Sequence, residues 1–354
     1  MMINFKEIRN KDVIILDDNF SKINLKDISF ESVNLNSINF FCAIKTILKY
    51  FQKQNFLSLK EFYKQNLYRM YKPKLAISHD MNKRALECKY LCPEIKSAIY
   101  QFSYSRKKYD LQFIFNKFKR KSIKNYKELI DYIFVYHKHE KHSLDFDKSK
   151  IFVTGSIKNN AINLKKIKKD KNSLLLISEF NPKFPYKNYF CKNEKPLIKM
   201  ISEFCETNNL KLKIAFRSFR EDKKIDIKNE YKYYDSIIKN RYEAKRINAF
   251  NYASTSEIIV CMSSNLGIEL LSRKFKVFFI LIKESKKESY PYLPKKSIFV
   301  QRNLKKNEIF KKLKRLLECK NETWKKLINN NLDNLVFDQG NKIFNKQIKT
   351  ILNQ

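Results

Sequence analysis

The chain has 354 residues, which is long for one hydrophobic core, so its length favours two domains of about 150 residues each. Hydrophobic residues make up 43% of the chain and aromatic residues 14%, which excludes a disordered protein. Lys and Arg number 74 against 36 Asp and Glu, and the net charge of +38 indicates either an anionic partner or a compositional bias.

The first half of the chain alternates short apolar runs with helical patterns. "DVIILDD" (12–18) predicts the first strand, and similar runs predict strands at 74–78, 97–103, 130–136 and 150–156. Helical spacing of apolar residues predicts helices in "INFFCAIKTILKYF", "SLKEFYKQNLYRMY" and "NKRALECKYLC". The second of these helices opens with a capping box of Ser58 and Glu61, and Pro73 closes it.

The alternation restarts after the polar stretch "IKNNAINLKKIKKDKN". Strands are predicted at 173–178, 212–216, 257–262 and 276–282, with helices around "PLIKMISEFCETNN", at 266–273 and after residue 305. Such alternation is typical of parallel sheets covered by helices on both faces. The predicted fold class is α/β, with two doubly wound Rossmann-like domains that face a cleft. The predicted domains are 1–149 and 150–330, and residues 331–354 form a helix expected to pack back across the domain interface.

The loop after the predicted strand at 257–262 contains one of only three glycines in the chain. Ligands bind beyond the carboxyl ends of parallel strands, and the free amides at the start of a helix suit an anion. Ser263 and Ser264 therefore suit phosphate oxygens, Gly267 would allow the backbone to approach them, and Glu269 suits the paired hydroxyls of a ribose. The alternative is a capped helix whose glycine allows close packing on a strand.

Two further strand ends carry candidate catalytic groups. His79 and Asp80 follow the predicted strand at 74–78, and either could take a proton from an acceptor hydroxyl. Asp80 could instead cap the helix that begins at Asn82. Asp17 and Asp18 are placed in the same way after the first strand.

Residues at two other strand ends are candidates for donor binding. Arg217 could take a phosphate or form a surface ion pair, and Ser178 lies in the remaining loop of the same edge. "HKHEKH" (137–142) is either a zinc site or a solvated turn, and the turn is favoured because no Cys or Asp completes a ligand set nearby. Cys88 and Cys92 are interpreted as small apolar residues on one helix face.

Five segments, in chain order, resemble a known family. They are "YKPKLAISHDMNKRAL", "SAIYQFS", "IFVTGSIKNN", "MSSNLGIELLSRKFKVFFI" and "FDQGNKIF". Together they resemble GT-B glycosyltransferases of bacterial surface-carbohydrate biosynthesis, over about 270 residues. Phe275 stands where that family usually has glycine, and Ser103 replaces another glycine. Two alternatives therefore stay open: an altered acceptor loop and an inactive relative of the family.

The resemblance implies a role for each matching position. It assigns Ser263, Ser264 and Gly267 to the diphosphate loop and Glu269 to the ribose, and it places Gly155 and Ser156 at the crossover between domains. It also makes Asp80 the better candidate for the catalytic base. No DxD-like motif follows a predicted strand, so we expect a metal-independent reaction with no cofactor, in which fixed cations neutralise the leaving diphosphate.

The predicted function is transfer of a sugar from a nucleotide-sugar to a surface-glycan acceptor, expected to be lipid-linked. A CDP-polyol or glycerol phosphotransferase and a nucleotide-sugar 2-epimerase remain alternatives on the same fold. A basic nucleic-acid-binding protein is the alternative from another class, but the lysines are spread along the chain and no zinc-finger, RNP or helix-turn-helix signature occurs, so no nucleic acid is expected.

The expected location is cytoplasmic, since the start of the chain lacks a signal-peptide core and no run of 18 apolar residues occurs. Peripheral attachment to the anionic inner leaflet of the membrane would explain the net charge of +38 in functional terms. The predicted contact is the segment "RKKYDLQFIFNKFKRKSIKNYK" (Arg106–Lys127), which mixes basic with apolar residues. The alternative is a basic loop in a proteome biased toward A/T-rich codons.

Overall fold

The computed structural model describes the chain except residues 1, 18–24, 26, 53–56, 81, 83, 103–125, 165–168, 181–188, 218–223, 240, 263, 282–292, 295 and 333–334. The chain divides into two compact units. The first comprises Met1–Ser103, Lys108–Ile162 and Asn334–Gln354, and the second comprises Tyr104–Lys107 and Asn163–Asp333.

Thirteen strands are present in the described part of the chain. They are β1 (Met2–Asn4), β2 (Val13–Ile15), β3 (Phe30–Ser32), β4 (Ser37–Asn39), β5 (Leu75–His79), β6 (Lys96–Tyr100), β7 (Tyr132–Val135), β8 (Ile151–Val153), β9 (Asp170–Ile177), β10 (Lys211–Ala215), β11 (Ser256–Cys261), β12 (Val277–Ile280) and β13 (Val300–Gln301). Sequence patterns miss β1, β3, β4 and β13, since each has only two or three residues and mixes polar with apolar ones, whereas the equally short β2 and β8 are marked by apolar runs.

Twelve α-helices lie in the same described residues. They are α1 (Phe40–Gln52), α2 (Leu59–Tyr71), α3 (Arg84–Leu91), α4 (Lys138–Ser143), α5 (Ile157–Asn160), α6 (Tyr189–Thr207), α7 (Lys224–Asp235), α8 (Ala249–Ser254), α9 (Asn265–Ser272), α10 (Lys306–Glu318), α11 (Asn321–Asn331) and α12 (Lys342–Asn353). The capping box of Ser58 and Glu61 at the start of α2 is confirmed. No helix of the described residues is long and apolar enough to cross a membrane.

Each unit is built around a parallel sheet. The first sheet has the strand order β3-β2-β5-β6-β7-β8 and the second has β10-β9-β11-β12-β13, while β1 and β4 form a separate parallel pair. Parallel sheets with interleaved helices confirm the α/β class and the two Rossmann-like domains.

The first sheet is buried on both faces because successive side chains of a strand point in opposite directions. Val13 and Ile15 pack in a cluster with Phe344 and Ile348 of α12. Ile14, between them, packs in a second cluster that includes residues of α2 and α3. Cys88 and Cys92 belong to that second cluster, which confirms that they are apolar core residues.

The boundary between the units differs from the predicted division at 149/150. β8 pairs with β7, so residues 151–153 complete the first sheet and the first unit continues to Ile162. The chain returns to the first unit at Asn334, and α12 packs in that unit's own core. An apolar run shows that a strand exists but does not show which sheet it joins, because that depends on pairing with a partner distant in sequence.

Candidate functional site

The carboxyl edge of the first sheet carries polar residues after three neighbouring strands. Asp17 follows β2, His79 ends β5 and Asp80 follows it, and Gln101 follows β6. The parallel registers of β2 with β5 and of β5 with β6 bring these strand ends side by side. This edge is where parallel sheets of this kind bind ligands.

His79 lies beside a buried carboxylate. Its Nε2 is 3.7 Å from Oδ2 of Asp17, and the two side chains are 14% and 2% exposed. Tyr100 donates its hydroxyl proton to the same Asp17 oxygen, and burial together with this hydrogen bond raises the pKa of Tyr100 far above its ordinary value. The ring of Phe102 packs 4.9 Å from the imidazole. A partly exposed imidazole supported by a carboxylate is an arrangement suited to general acid–base chemistry.

Asp80 is buried and holds the loop that follows β6. Its Oδ1 accepts a hydrogen bond from the backbone N of Phe102 at 3.1 Å, and its own N–H bonds to the carbonyl of Tyr100. At the start of α3 the side chain of Asn82 accepts from the N–H of Arg84, the first residue of the helix, so Asn82 contributes to the cap considered for Asp80. Of the two predicted catalytic residues, His79 is therefore the more accessible.

A second polar pair lies next to this edge. The buried Gln101 side chain donates to Oε1 of Glu140 at 2.6 Å and accepts from the N–H of Tyr136 at 2.9 Å. The hydroxyl of Tyr136 donates to the carbonyl of Phe102 at 2.7 Å. The loops after β6 and β7 are thus tied together by side chains, which fixes the position of the ring beside His79.

The histidines of "HKHEKH" form a capped helix and not the predicted turn. His137 is buried, and its Nδ1 accepts from the N–H of His139 at 2.9 Å to cap α4. His139 and His142 are exposed. One histidine therefore serves the backbone while the other two face solvent, which is not how three ligands of one metal ion are presented.

Gly155 and Ser156 lie where the segment "IFVTGSIKNN" contacts the C-terminal segment "FDQGNKIF", two of the segments that carry the family resemblance. Gly155 has φ +70°, and a β-carbon there would lie 2.3 Å from the carbonyl oxygen of Val336. Ser156 is buried and caps α5. Asn160 donates to the carbonyl of Thr154 at 2.8 Å.

The same asparagine also reaches the C-terminal segment. Its Oδ1 accepts from the N–H of Asp338 at 3.0 Å, and its carbonyl accepts from Gly340. The "GS" segment and the "FDQGN" segment are therefore joined by hydrogen bonds within the first unit. Gly155 and Ser156, predicted at the crossover between domains, lie before Ile162, where this part of the first unit ends.

The carboxyl edge of the second sheet presents the start of a helix. Ser264 caps α9, and its Oγ accepts from the N–H of Leu266 at 3.4 Å. The first amides of α9 carry partial positive charge and suit an anion. Ser263, the other predicted serine, lies outside the described residues.

Gly267 allows α9 to pack tightly on the sheet. A β-carbon at this position would lie 2.4 Å from Sγ of Cys261, 2.9 Å from its Cβ and 3.0 Å from a ring carbon of Phe279. The space left by the missing side chain is thus filled from the sheet side. These contacts support the packing alternative, and the approach of a phosphate to this backbone position stays a prediction.

Glu269 is buried in the second turn of α9, and not in its first turn as the sequence suggests, because the helix begins at Asn265. Arg273 follows one turn later, with its guanidinium 5.6 Å from the ring centre of Phe250. Burial lowers the pKa of Arg273 to about 10, although the charge of Glu269 acts in the opposite direction.

Ser178 is part of an internal network. It is buried, and its hydroxyl donates to Oε1 of Glu230 at 2.5 Å and accepts from the N–H of Phe180 at 3.2 Å. The same Glu230 oxygen accepts from the backbone N of Arg217 at 3.0 Å. Ser178 and Arg217 are both among the predicted donor-binding residues: Arg217 is exposed, while the hydroxyl of Ser178 serves to position Glu230.

A second buried glutamate lies near this network. Glu194 of α6 accepts from the hydroxyl of Tyr233 at 3.0 Å and from the N–H of Glu179 at 3.4 Å. Burial, reinforced by the negative charge of Glu179, raises the pKa of Glu194 from 4.5 to about 7. A carboxyl group that titrates near neutral pH is a feature of functional sites.

Sequence reasoning misses several of these groups for different reasons. Tyr100 and Gln101 end or follow a predicted strand, so the rule that ligands bind at strand ends could have found them. Glu140, Glu194 and Glu230 come from helices, and only the packing of each helix decides whether a glutamate turns toward the sheet edge.

The fold is similar to those of several solved nucleotide-sugar enzymes. The UDP-GlcNAc 2-epimerase of Methanocaldococcus jannaschii, solved with UDP-GlcNAc and UDP, matches with a TM-score of 0.55 and 13% identity over 97% of this chain and 100% of that chain. The UDP-GlcNAc 2-epimerase of Neisseria meningitidis, bound to UDP-GlcNAc, matches with a TM-score of 0.56 and 12% identity over 100% of both chains.

A third similar structure is the wall teichoic acid polymerase TagF, with a TM-score of 0.52 and 10% identity over 97% of this chain and 89% of that chain. At these identities the likeness concerns the fold, which is GT-B-like with two Rossmann-like domains. The comparison with curated proteins found no match. A family model described as "putative O-antigen biosynthesis protein" matches residues 105–352, more than half of the chain. The chain therefore belongs to this family of O-antigen biosynthesis proteins.

Proposed function

We propose that this protein is a glycosyltransferase that moves a sugar from a nucleotide-sugar donor to a surface-glycan acceptor. The family supports a place in surface-carbohydrate synthesis, and the similar solved structures include enzymes bound to UDP-GlcNAc and a wall teichoic acid polymerase. In this proposal the second unit binds the donor and the first unit activates the acceptor.

The observation that carries the donor assignment is the position of α9. Its amino end and its cap Ser264 lie at the carboxyl end of β11, the edge at which such sheets bind ligands, and the partial positive charge at the start of a helix suits an anion. The diphosphate of a nucleotide-sugar fits this charge, and the exposed Arg217 follows β10 at the same edge. Glu269 is the proposed ribose contact.

The acceptor assignment depends on His79. In the proposed reaction the acceptor oxygen forms a bond to the anomeric carbon of the donor sugar, and the bond from that carbon to the phosphate oxygen breaks. The electron pair of the broken bond leaves with the nucleoside diphosphate. The proton of the acceptor hydroxyl goes to the imidazole of His79, whose cationic form the carboxylate of Asp17, 3.7 Å away, would stabilise.

Donor binding is tested by the thermal stability of the protein with UDP-GlcNAc, other UDP-sugars, CDP-glycerol and GDP-sugars. A ligand at a hundred times its dissociation constant adds about 2.7 kcal/mol to the free energy of unfolding. The proposal expects stabilisation by a nucleotide-sugar and loss of that stabilisation in Arg217→Ala. Stabilisation by CDP-glycerol alone would favour a polyol phosphotransferase, and stabilisation by none of these ligands would contradict the donor assignment.

A nucleotide-sugar 2-epimerase is the second candidate. It is favoured by the fold and by a set of acid–base groups denser than the sequence suggests: His79 with Asp17 at one sheet edge, and Glu194 with Glu179 at the other. Reversal of configuration at C2 must break and remake the bond from carbon to hydrogen, which needs groups that remove and return a proton.

The two candidates differ in their need for an acceptor. An epimerase converts UDP-GlcNAc to its 2-epimer alone, and in heavy water the product gains deuterium at C2. A glycosyltransferase leaves C2 unchanged and releases the nucleoside diphosphate at a useful rate only with an acceptor. NMR spectroscopy of one reaction mixture, with and without acceptor, decides between them.

A further inference from the structure

Helix α1 exposes its apolar face to solvent. Six large apolar side chains on it are exposed, namely Phe40, Phe41, Ile44, Ile47, Leu48 and Phe51. Their spacing places them along one side of the helix. We call these six residues the α1 face.

The opposite side of α1 is the buried one, although it is the more polar. Cys42 and Thr46 are buried there, and the Thr46 hydroxyl lies within hydrogen-bond distance of the carbonyl of Cys42 and of the Asn66 side chain in α2. Tyr50, on the same helix, packs its ring 5.8 Å from that of Phe62. A helix of a globular domain normally buries its apolar stripe, so this reversed orientation needs a partner for the α1 face.

The exposed apolar surface extends beyond the helix. Ile3 and Phe5, in and just after β1, are exposed as well, and the ring of Phe5 lies 5.0 Å from that of Phe40. β1 pairs with β4, which leads directly into α1, so the patch is continuous from the strand to the helix. Contiguous exposed apolar patches of this kind mark surfaces that bind a protein or a membrane.

The charges around the α1 face indicate which partner it fits. Lys45 and Lys49 are exposed on the same helix, and the sequence holds no Asp or Glu between Glu31 and Glu61. A second copy of the chain would bring lysines against lysines in a protein whose net charge is already +38. An anionic bilayer accepts both the apolar side chains and the lysines.

We propose that the α1 face docks the first unit on an anionic phospholipid bilayer. The helix has 13 residues, fewer than the roughly 20 that a span requires, so it lies in the plane of the interface with its apolar side chains among the acyl chains. This site differs from the predicted contact at Arg106–Lys127, of which residues 106–125 lie outside the described residues. The proposal does not depend on the reaction that the enzyme catalyses.

Co-sedimentation with vesicles tests the proposal. We expect the protein to bind vesicles of phosphatidylcholine with 30% phosphatidylglycerol and to bind pure phosphatidylcholine weakly, with the difference removed by high salt. Phe51→Glu and Ile44→Glu should each lower the partition coefficient by about tenfold or more, because each variant loses the favourable free energy of moving a large apolar side chain from water into the bilayer. Lys45→Glu with Lys49→Glu should reduce binding to the anionic vesicles specifically.

The chain offers a matched control in its second unit. Ile247 is 42% exposed and Ile44 is 43% exposed, so Ile247→Glu makes the same change at a similar exposure in a residue that is not part of the α1 face. Circular dichroism and the melting temperature show whether each variant is folded, and Phe51→Ser repeats the test without adding a charge.

Two results would overturn the proposal. Vesicle binding that survives Ile44→Glu and Phe51→Glu but is lost when Lys117, Lys119, Arg120 and Lys121 are changed to Glu would return the contact to the predicted segment. Failure to bind vesicles, together with a dimer in sedimentation velocity that Phe51→Glu dissociates, would assign the α1 face to a second copy of the chain.

Discussion

The carboxyl edge of the first sheet carries a histidine beside a buried aspartate, whereas that of the second sheet carries the start of a helix and buried glutamates. The first edge offers a group that can exchange a proton with bound substrate. The second edge offers backbone amides for an anion, and its glutamates Glu194 and Glu230 lie beneath that surface. Two sheets of the same topology class thus present different chemistry, because the residues after each strand and the helices behind them differ.

Among the substitutions that test this comparison, replacement of His79 should have the largest effect, because it removes the proposed proton acceptor from the edge of the first sheet. His79→Gln removes the proposed base but keeps a polar side chain, and turnover should fall by about 10²–10⁴-fold while donor affinity changes little. His139→Gln, at an exposed histidine of the same unit, serves as the control and should leave turnover unchanged. Wild-type turnover in His79→Gln would remove proton transfer from the first edge.

Glu194 makes the stability of the second unit depend on pH. Its pKa in the folded protein is about 7 against an ordinary 4.5, so the folded state holds this proton more tightly than the unfolded state does. The charged form is disfavoured on burial, and the wild type should therefore lose stability as the pH rises from 4.5 to 7. Relative to Glu194→Gln, the loss should amount to roughly 3 kcal/mol, with all of it present above pH 7.

Urea unfolding of both proteins at pH 5 and pH 8 measures that difference. Glu206→Gln, at an exposed position of the same helix, is the control and should follow the wild type at both pH values. If Glu194→Gln and the wild type respond equally to pH, the carboxyl group of Glu194 is charged in the folded protein at neutral pH.

Gly267→Ala tests whether the glycine serves packing or ligand binding. The new β-carbon would meet Cys261 and Phe279, so the free energy of unfolding should fall by about 1–3 kcal/mol. Adding Cys261→Ala removes the Sγ that lies 2.4 Å from that position and should restore part of the loss. Unchanged stability with lost nucleotide-sugar affinity would show instead that the glycine faces the ligand.

Ser264→Ala should have the smallest effect of the four. Loss of the cap on α9 should lower the free energy of unfolding by about 1 kcal/mol, whereas Ser264→Gly should cost only a few tenths. Affinity for the donor should fall in both variants if the hydroxyl also reaches the diphosphate. A loss of stability without any loss of affinity would limit Ser264 to capping.

Much of the fold can be predicted from the sequence because its signals are local. The capping box of Ser58 and Glu61, the apolar runs of the central strands and the helical spacing in α1 each depend on neighbours along the chain. The same local signals place His79, Asp80 and Arg217 at strand ends. They do not show that β8 joins the first sheet, since strand pairing is decided between residues distant in sequence.

Only the tertiary structure decided what surrounds each side chain. The residues of α1 determine that it is an amphipathic helix, but its packing on α2 buries Cys42 and Thr46 and leaves the aromatic side exposed. The position of Gly267 after a serine is compatible with a phosphate loop, yet the side chains of Cys261 and Phe279 occupy the space that its missing β-carbon leaves. In both cases periodicity and motif determine which residues share a face, while the free energy of packing against distant elements determines what that face meets.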